Sequence, residues 1–312
     1  MAEAPKRGII GYLMLSVRGM MMGAADVVPG VSGGTMAFIL GIYEELLEAI
    51  KKFSSLEAIG IYTHFQIAQA FRKLPWQFVL FLAAGIVAAF LTLAGPITWM
   101  LKNQPSLIWA FFFGLVLASV VAVWRRVKKW NIFTYAFLIA GGVFAFWLVG
   151  VVPTQTPENW WFIIICGALA ICAMILPGIS GSFILLLLGK YHFMLETIQN
   201  TKAAARSLDF AALWSNGIVL LCFLVGIVIG LSSFVRLLSW MFRKAHDLTV
   251  AALIGFMLGS LRRVWPWKSG DINILPSEWN RTTLFAISCA ILGFALVLFI
   301  EYIANRKEKS QA

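Results

Sequence analysis

The chain has 312 residues, of which 61% are hydrophobic and 12% are charged, whereas a soluble domain has about 25% charged residues. This composition excludes a soluble globular protein. The net charge of +11 comes from Lys and Arg that cluster between apolar segments, as the positive-inside rule expects of membrane proteins. No basic stripe with interleaved aromatic residues indicates a nucleic-acid partner.

Uncharged segments long enough to cross a bilayer recur along the chain, since about 20 apolar residues span the hydrocarbon core. In chain order they occupy residues 74–101, 103–124, 130–157, 159–189, 210–235 and 282–300. A shorter segment, 248–261, precedes two arginines. Helices are the simplest structures for such segments, because a helix satisfies its own backbone hydrogen bonds in lipid. We therefore expect an all-α polytopic membrane protein.

The chain contains an internal repeat. The segment VPGVSGGTMAFILGIYEELLEAI (28–50) aligns without gaps with LPGISGSFILLLLGKYHFMLETI (176–198), so that Pro29 pairs with Pro177 at an offset of 148 residues (177 − 29). A later match, 85–100 with 226–241, runs at an offset of 141 residues (226 − 85). The repeat covers nearly the whole chain and predicts two units, residues 1–153 and 154–312.

The two units are expected to have opposite orientations in the membrane. Each contains a broken pair of short segments followed by three longer ones, and an odd number of segments inverts the next copy. The basic residues near both termini and those at 125–129 then fall on one face, which is predicted to be cytoplasmic. Four cations fall on the other face, against the rule, namely Arg262, Arg263, Lys268 and Arg281.

The sequence Pro-Gly-x-Ser-Gly interrupts an apolar segment in each unit. Such a break leaves backbone N–H groups unpaired, which is tolerated in a membrane only where the backbone is buried in protein or lines a polar cavity. We expect a re-entrant or broken helix pair, with a half-helix that begins near Ser32 in the first unit and near Ser180 in the second. The sequence does not decide whether these segments are re-entrant or cross the membrane completely.

The two half-helices are predicted to form an anion site, because their positive N-terminal ends and Ser and Gly donors would point into the membrane interior. The predicted substrate-binding residues of the breaks are Gly30, Ser32, Gly33, Gly34, Thr35, Gly178, Ser180, Gly181 and Ser182. The alternative is that small residues only allow close helix packing. That alternative is favoured for the isolated glycines 85, 114, 226 and 255, whereas a duplicated proline argues against it at the breaks.

Five charged residues are further candidates, since charge inside a membrane is costly. Arg18 is predicted to bind a phosphate, or else to extend its guanidinium to the interface. Asp26 is a candidate proton site, or else caps a helix or pairs with Arg18. Glu48 and Glu196 occupy equivalent positions and are candidate proton sites or solvated side chains. Arg236, in a long apolar segment, is a candidate second cation of the site.

The segments GMMMGAADVVPGVSGGTMAFILGIYEELL and MILPGISGSFILLLLGKY closely resemble the bacterial polyprenyl-phosphate transporter family, long a family of unknown function. The resemblance extends over almost the full chain. It implies a non-enzymatic protein of the cytoplasmic membrane, without a cofactor, whose partners are the bilayer and a polyprenyl-phosphate lipid. It further implies transfer of undecaprenyl phosphate from the outer to the inner leaflet, for recycling in the synthesis of peptidoglycan and other envelope polymers.

The resulting hypothesis is that the two half-helices face one another across the midplane and bind the phosphate headgroup in turn. The first copy is expected to make the tighter contacts, because Arg18 and Asp26 flank it alone. A transporter or channel for a small soluble anion is the main alternative. A membrane lipid-phosphate enzyme is disfavoured, because three scattered histidines, His64, His192 and His246, provide neither a nucleophile framework nor metal-ligand spacing. The oligomeric state and the coupling ion stay open.

Overall fold

The protein is described here by a computed structural model that covers residues 7–28, 31–55, 58, 69, 73–151, 156–270, 272–276 and 278–309. The first half contains α1 (Ile9–Asp26), α2 (Gly33–Ile39), α3 (Tyr43–Phe53), α4 (Trp76–Thr92), α5 (Ala94–Asn103), α6 (Pro105–Trp124) and α7 (Ile132–Val149). The second half contains α8 (Trp160–Ile175), α9 (Gly181–Leu187), α10 (Tyr191–Ser207), α11 (Phe210–Lys244), α12 (His246–Ser260), β1 (Lys268–Ser269), β2 (Ile272–Asn273) and α13 (Arg281–Lys309).

The long helices confirm the predicted all-α polytopic membrane fold. Within the described ranges, α6, α7, α11 and α13 are long and apolar enough to cross a membrane, and the bent pair α4–α5 is a fifth candidate span. The outward-facing sides of these helices are strongly apolar, as lipid contact requires. The two short strands pair with each other in an antiparallel manner and lie between α12 and α13.

The segment 74–101 is not the single straight helix that its composition suggests. It forms α4 and α5, which meet at Leu93 with a bend of 47°. The cause is Pro96 in the first turn of α5, which has no N–H to donate to a carbonyl of α4. The equivalent of Gly95 in the second half is Arg236, and there the chain forms the uninterrupted 35-residue helix α11.

The helices of the two halves correspond one to one, apart from this bend. α1 packs on α4 as α8 packs on α11, whereas α7 packs on α12 and α13 packs on α6, so the last helix of each half packs on the penultimate helix of the other. This exchange interlocks the halves around a shared core. The predicted boundary, between Pro153 and Thr154, lies outside the described residues, so its position stays a prediction.

The directions of the helices show that the halves are inverted. α7 and α12 run parallel, because Asp247 at the start of α12 accepts from the backbone N–H groups of Lys128 and Lys129, while Arg262 beyond its end donates to the Phe146 carbonyl. α6 and α7 are joined by a short loop and run in opposite directions. Equivalent helices α6 and α12 are therefore antiparallel. We call the side where α7 begins face A and the side where α7 ends face B.

The isolated glycines allow close helix packing, as the packing alternative predicts. A Cβ at Gly85 would lie 1.9 Å from the Ser16 carbonyl oxygen, and one at Gly226 would lie 2.0 Å from that of Ile164. These contacts are the equivalent α1–α4 and α8–α11 crossings. Gly114 and Gly255 meet backbone carbonyls of α13 and α7 in the same way. Any side chain at these positions would push a pair of helices apart.

Candidate functional site

The break in the second half is re-entrant. A Cβ at Gly181, the first residue of α9, would lie 2.6 Å from the carbonyl oxygen of Ala170 in α8, so the chain has already turned back on itself. The Lys190 Nζ, beyond the end of α9, donates to the carbonyl of Thr156, before the start of α8, at 2.8 Å. Both ends therefore lie at face B. We call α8–α9 re-entrant unit 2.

The break in the first half is re-entrant as well. Arg7, just before α1, forms two hydrogen bonds of 2.6 Å with the carboxylate of Glu45, in the first turn of α3. The neighbouring Glu44 lies 3.9 Å from His246 at the start of α12, so both ends of this unit lie at face A. We call α1–α2 re-entrant unit 1. The two units thus enter from opposite faces, as inverted copies should.

The tips of the two units contact each other inside the molecule. The Ser32 hydroxyl donates to the Leu176 carbonyl at 3.0 Å, and the Gly178 N–H donates to the Thr35 hydroxyl at 2.8 Å. The Tyr43 hydroxyl adds a bond of 3.1 Å to the Ile175 carbonyl. Ser32 and Thr35 are buried. Three residues of the predicted anion site, Ser32, Thr35 and Gly178, are therefore engaged with the other unit, and the two tips pack against each other.

Two glycines permit this close contact. A Cβ at Gly34 would lie 2.5 Å from the Ile175 carbonyl oxygen, which is backbone and cannot rotate away. Gly178 has a φ of 92°, a conformation that side chains with a Cβ rarely adopt, and a Cβ there would meet Ser260 Oγ at 2.8 Å. The equivalent of Gly178, Gly30, lies outside the described residues.

An internal carboxylate occupies the N-terminal end of α2. Asp26 Oδ1 accepts from the Gly33 N–H at 2.7 Å, and the Ser32 hydroxyl accepts from the Gly34 N–H at 3.1 Å. Asp26 therefore caps α2, one of the alternatives predicted for it, and no salt bridge to Arg18 is present among the described residues. Its carboxylate oxygen stands where an oxygen of a bound phosphate was predicted.

The tip of unit 2 lacks such a carboxylate. Met174 replaces Asp26 in the repeat, and the Ser180 hydroxyl contacts the Ser182 hydroxyl at 2.7 Å without capping α9. The first N–H groups of α9 thus have no side-chain cap within the described part of the chain. This geometry favours unit 2 for binding an external anion, whereas the sequence pointed to the first copy.

The structure brings the remaining charged candidates to other places. Arg236 donates to the Ser54 carbonyl at the end of α3, away from the tips, so its assignment to the site stays a prediction. Arg18 is half-buried on α1 and makes no hydrogen bond or salt bridge in the described part of the chain, about 12 Å along the helix axis from Asp26. Glu48 and Glu196 are exposed, which agrees with the solvated alternative.

An arginine covers each unit, a feature that the sequence comparison missed. Arg126, after α6, lies over the ring of Phe38 in α2 at 5.4 Å, and Arg263, after α12, lies over the ring of Phe183 in α9 at 5.1 Å. The signal is a duplicated Arg-Arg-Val, at 125–127 and 262–264. This duplication is at an offset of 137 residues (262 − 125), four fewer than the offset of 141 that relates 85–100 to 226–241, so that register does not align it.

These features have the geometry of the broken helices of inverted-repeat transporters. The polar tips of the two units meet inside the molecule, and the ends of each unit lie at one face. An arginine lies over a phenylalanine of each unit. Among the described residues no three His, Cys, Asp or Glu side chains converge as metal ligands.

Comparison with known proteins agrees with this description. A family model described as undecaprenyl phosphate translocase-like matches residues 22–280. The chain is 40% identical to the polyprenyl-phosphate transporter of Vibrio cholerae, over 95% of this chain and 98% of the relative. It is 28% identical to a polyprenyl-phosphate transporter of Staphylococcus aureus, over 80% and 85% of the two chains. No solved structure matches. The chain belongs to the undecaprenyl phosphate translocase-like family.

Proposed function

We propose that the protein transfers a polyprenyl phosphate, principally undecaprenyl phosphate, from the outer to the inner leaflet of the bacterial cytoplasmic membrane. The observation that carries the proposal is the 40% identity to a named polyprenyl-phosphate transporter across 95% of the chain. The inverted re-entrant units support transport, because such repeats allow one site to be reached from either face. The returned lipid would again carry precursors of peptidoglycan and other envelope polymers.

We propose further that face A is cytoplasmic, with both termini on that side. Face A carries Arg7, the basic segment 125–129 and the Arg243–Lys244 pair at the end of α11. Lys and Arg in short loops favour the cytoplasmic side of a membrane protein. The loop 156–159 at face B contains Glu158 and no cation, which supports the same orientation.

In the proposed mechanism, the tips open to admit the phosphate headgroup. The bonds from Ser32 to Leu176 and from Gly178 to Thr35 close the path in this conformation, so they must break when the halves rock. The released hydroxyl and N–H groups would then bind the headgroup, together with the uncapped start of α9. The proposed headgroup contacts are Ser32, Gly33, Gly34, Thr35, Gly178, Ser180, Gly181 and Ser182, with Arg18 on the way to face A. The prenyl tail would stay in lipid.

Asp26 links this opening to protonation in our proposal. Its carboxylate holds the Gly33 N–H, a charge-assisted bond that a neutral carboxyl group would hold more weakly. Protonation of Asp26, or entry of a phosphate that takes over the Gly33 donor, would therefore loosen the tip of unit 1. Glu48 and Glu196 are less suitable because both are exposed.

The test is transfer by the purified protein in liposomes. Fluorescent short-chain polyprenyl phosphate is added to the outer leaflet alone, and a membrane-impermeant quencher added later shows the fraction that has moved to the inner leaflet. Wild type should move the lipid between the leaflets. Ser32→Ala should do so at least about tenfold more slowly, because it lacks a hydroxyl group that would bind the headgroup once the tips open. Ser215→Ala, which changes an exposed serine on α11, should match wild type.

Two other outcomes would replace the proposal. Uptake of inorganic phosphate without lipid exchange would establish the soluble-anion alternative. Release of phosphate from the lipid would establish an enzyme. Because the three readouts use the same liposomes, a protein that folds but transfers nothing contradicts the proposal directly.

A further inference from the structure

A cavity of about 420 Å³ opens at face B beside re-entrant unit 2. Phe183 and Leu187 of α9 form one wall, and Arg262, Arg263, Lys268 and Asn273 form another. The chain thus places three cations in one cavity that contacts a re-entrant helix. These are three of the four cations that contradict the positive-inside rule.

Aromatic rings and backbone carbonyls hold the cations in place. The guanidinium of Arg262 lies 4.5 Å from the ring centre of Phe146 and donates to the Phe146 carbonyl at 3.3 Å. Lys268 Nζ lies 4.4 Å from the ring centre of Trp109. The Asn273 amide donates to the Arg262 carbonyl at 2.7 Å, which ties β2 to the end of α12. The cavity is therefore built by fixed contacts rather than by loose surface side chains.

An apolar hollow of about 470 Å³ adjoins the basic cavity. Arg262 and Asn273 line both spaces, and the hollow continues along Phe113, Leu258 and Trp265. A small soluble anion would use only the basic part. An anion attached to a hydrocarbon chain would use both, with its charge beside Arg262 and its chain against the apolar wall.

The two adjoining cavities lie at one end of α7, and the basic segment 125–129 lies at its other end. The 18 residues of α7 span about 27 Å, close to the thickness of a bilayer core, so the cavities and the basic segment are at opposite membrane surfaces. The Arg-Arg-Val sequence is duplicated at the two ends, before α7 and after α12. A function at face B explains why cations are kept there against the general rule.

We propose that the basic cavity and the adjoining hollow form the receiving site for the lipid at face B. The phosphate binds Arg262, Arg263 and Lys268, and the first isoprene units lie in the hollow. From there, Phe183 and α9 lead to the tips of the re-entrant units. This proposal rests on the proposed function and adds the place where the substrate is first bound.

The experiment measures binding of farnesyl phosphate, a short prenyl phosphate, to the full-length protein in nanodiscs by native mass spectrometry. Arg262→Gln should weaken binding about tenfold to a hundredfold, the usual effect of losing a charge-assisted hydrogen bond. Arg281→Gln removes an exposed cation that does not line the cavity and should bind as wild type does. Thermal unfolding of both variants checks that each is folded.

Two further arms identify the ligand. Ile274→Glu places a charge in the hollow and should weaken farnesyl phosphate but not inorganic phosphate. If inorganic phosphate binds wild type as tightly as farnesyl phosphate does, and Arg262→Gln weakens both equally, the cavity binds free phosphate and the lipid assignment is wrong.

Failure of this proposal differs from failure of the proposed function. If wild type binds and transfers prenyl phosphate but folded Arg262→Gln does so equally well, only the receiving site is wrong. If folded wild type neither binds nor transfers prenyl phosphate, the proposed function itself is wrong, and the receiving site is wrong with it.

Discussion

Re-entrant units 1 and 2 descend from one sequence pattern but differ at their tips. In unit 1, Asp26 caps the start of α2 and Ser32 bonds both its own helix and the other unit. In unit 2, the start of α9 has no side-chain cap, and Ser180 bonds only Ser182 among the described residues. Unit 1 therefore caps its own short helix with side chains, whereas unit 2 does not.

The surroundings of the two units also differ, with more positive charge beside unit 2. Unit 2 lies beside a cavity with three cations, and unit 1 is covered by the exposed Arg126. We infer that duplication produced a self-capped unit, which holds the closed conformation, and an open unit, which meets the external anion. Matched substitutions in the two units should therefore differ in effect, most at the tips and least where the ends of each unit are joined.

The largest difference is expected between Gly34 and its counterpart Ser182. Gly34→Ala would put a Cβ 2.5 Å from the Ile175 carbonyl oxygen, so the tips must separate. We expect a loss of about 3 kcal/mol in unfolding free energy, the upper range for overpacking, and loss of lipid transfer. Ser182→Ala only shortens a half-buried side chain and should cost less than about 1 kcal/mol. Thermal unfolding in detergent compares the two variants, and equal stabilities would contradict the closed-tip contact.

A smaller difference is expected between Ser32→Ala and Ser180→Ala. Ser32 loses a bond to the Leu176 carbonyl and the cap on the Gly34 N–H, both buried, which together are worth about 2 kcal/mol. Ser180 loses one hydroxyl–hydroxyl bond, worth about 1 kcal/mol or less. Denaturation midpoints would rank the two. If Ser180→Ala were less stable than Ser32→Ala, unit 2 rather than unit 1 would hold the closed conformation.

Asp26 and Met174 form the third comparison. Asp26→Ala leaves the Gly33 N–H without its acceptor but also removes the cost of a partly buried carboxylate, so we expect a net loss of about 1 kcal/mol. Met174→Asp introduces a carboxylate near the end of α8, at the position in unit 2 that corresponds to Asp26. If that carboxylate caps α9 as Asp26 caps α2, it should compete with the substrate and slow lipid transfer several-fold. Unchanged transfer in folded Met174→Asp would show that the uncapped end of α9 does not bind the headgroup.

Local sequence features were sufficient to predict the helices, the repeat and the broken segments. The two breaks could be located because a helix-breaking proline occurs at the same place in both copies, inside an apolar segment, and the inversion followed from an odd number of segments. The packing role of Gly85 was also predicted correctly, because small residues in membrane helices commonly allow close packing.

Contacts between the halves could not be predicted, because they depend on how distant segments fold together. Nothing in the sequence near Ser32 indicates that its partner is the Leu176 carbonyl, 144 residues away. The partner of Arg236 could not be predicted for the same reason, because the Ser54 carbonyl that accepts from it lies in the other half. The cations at face B were visible as exceptions to the charge rule, but only the fold shows that they line one cavity.

The smallest effects are expected where the ends of the units are joined. Unit 1 is joined by the Arg7–Glu45 ion pair, whose side chains are 17% and 23% exposed, and unit 2 by the bond from buried Lys190 to the Thr156 carbonyl. Arg7→Gln should cost about 1 kcal/mol at low salt, because a partly exposed pair is weakened by solvent, and less at high salt, because ions screen it further. Lys190→Met removes a 2.8 Å hydrogen bond to a neutral carbonyl and a longer pair, at 3.7 Å, with the exposed Glu158 carboxylate. Solvent already weakens an exposed pair at that distance, so the cost of Lys190→Met should change less with salt. Unfolding midpoints at about 0.05 M and 0.5 M salt, where the Debye length falls severalfold, would separate the two cases. If the cost of Arg7→Gln were independent of salt, the Arg7–Glu45 pair would act mainly through packing, and the two units would be joined by the same kind of contact.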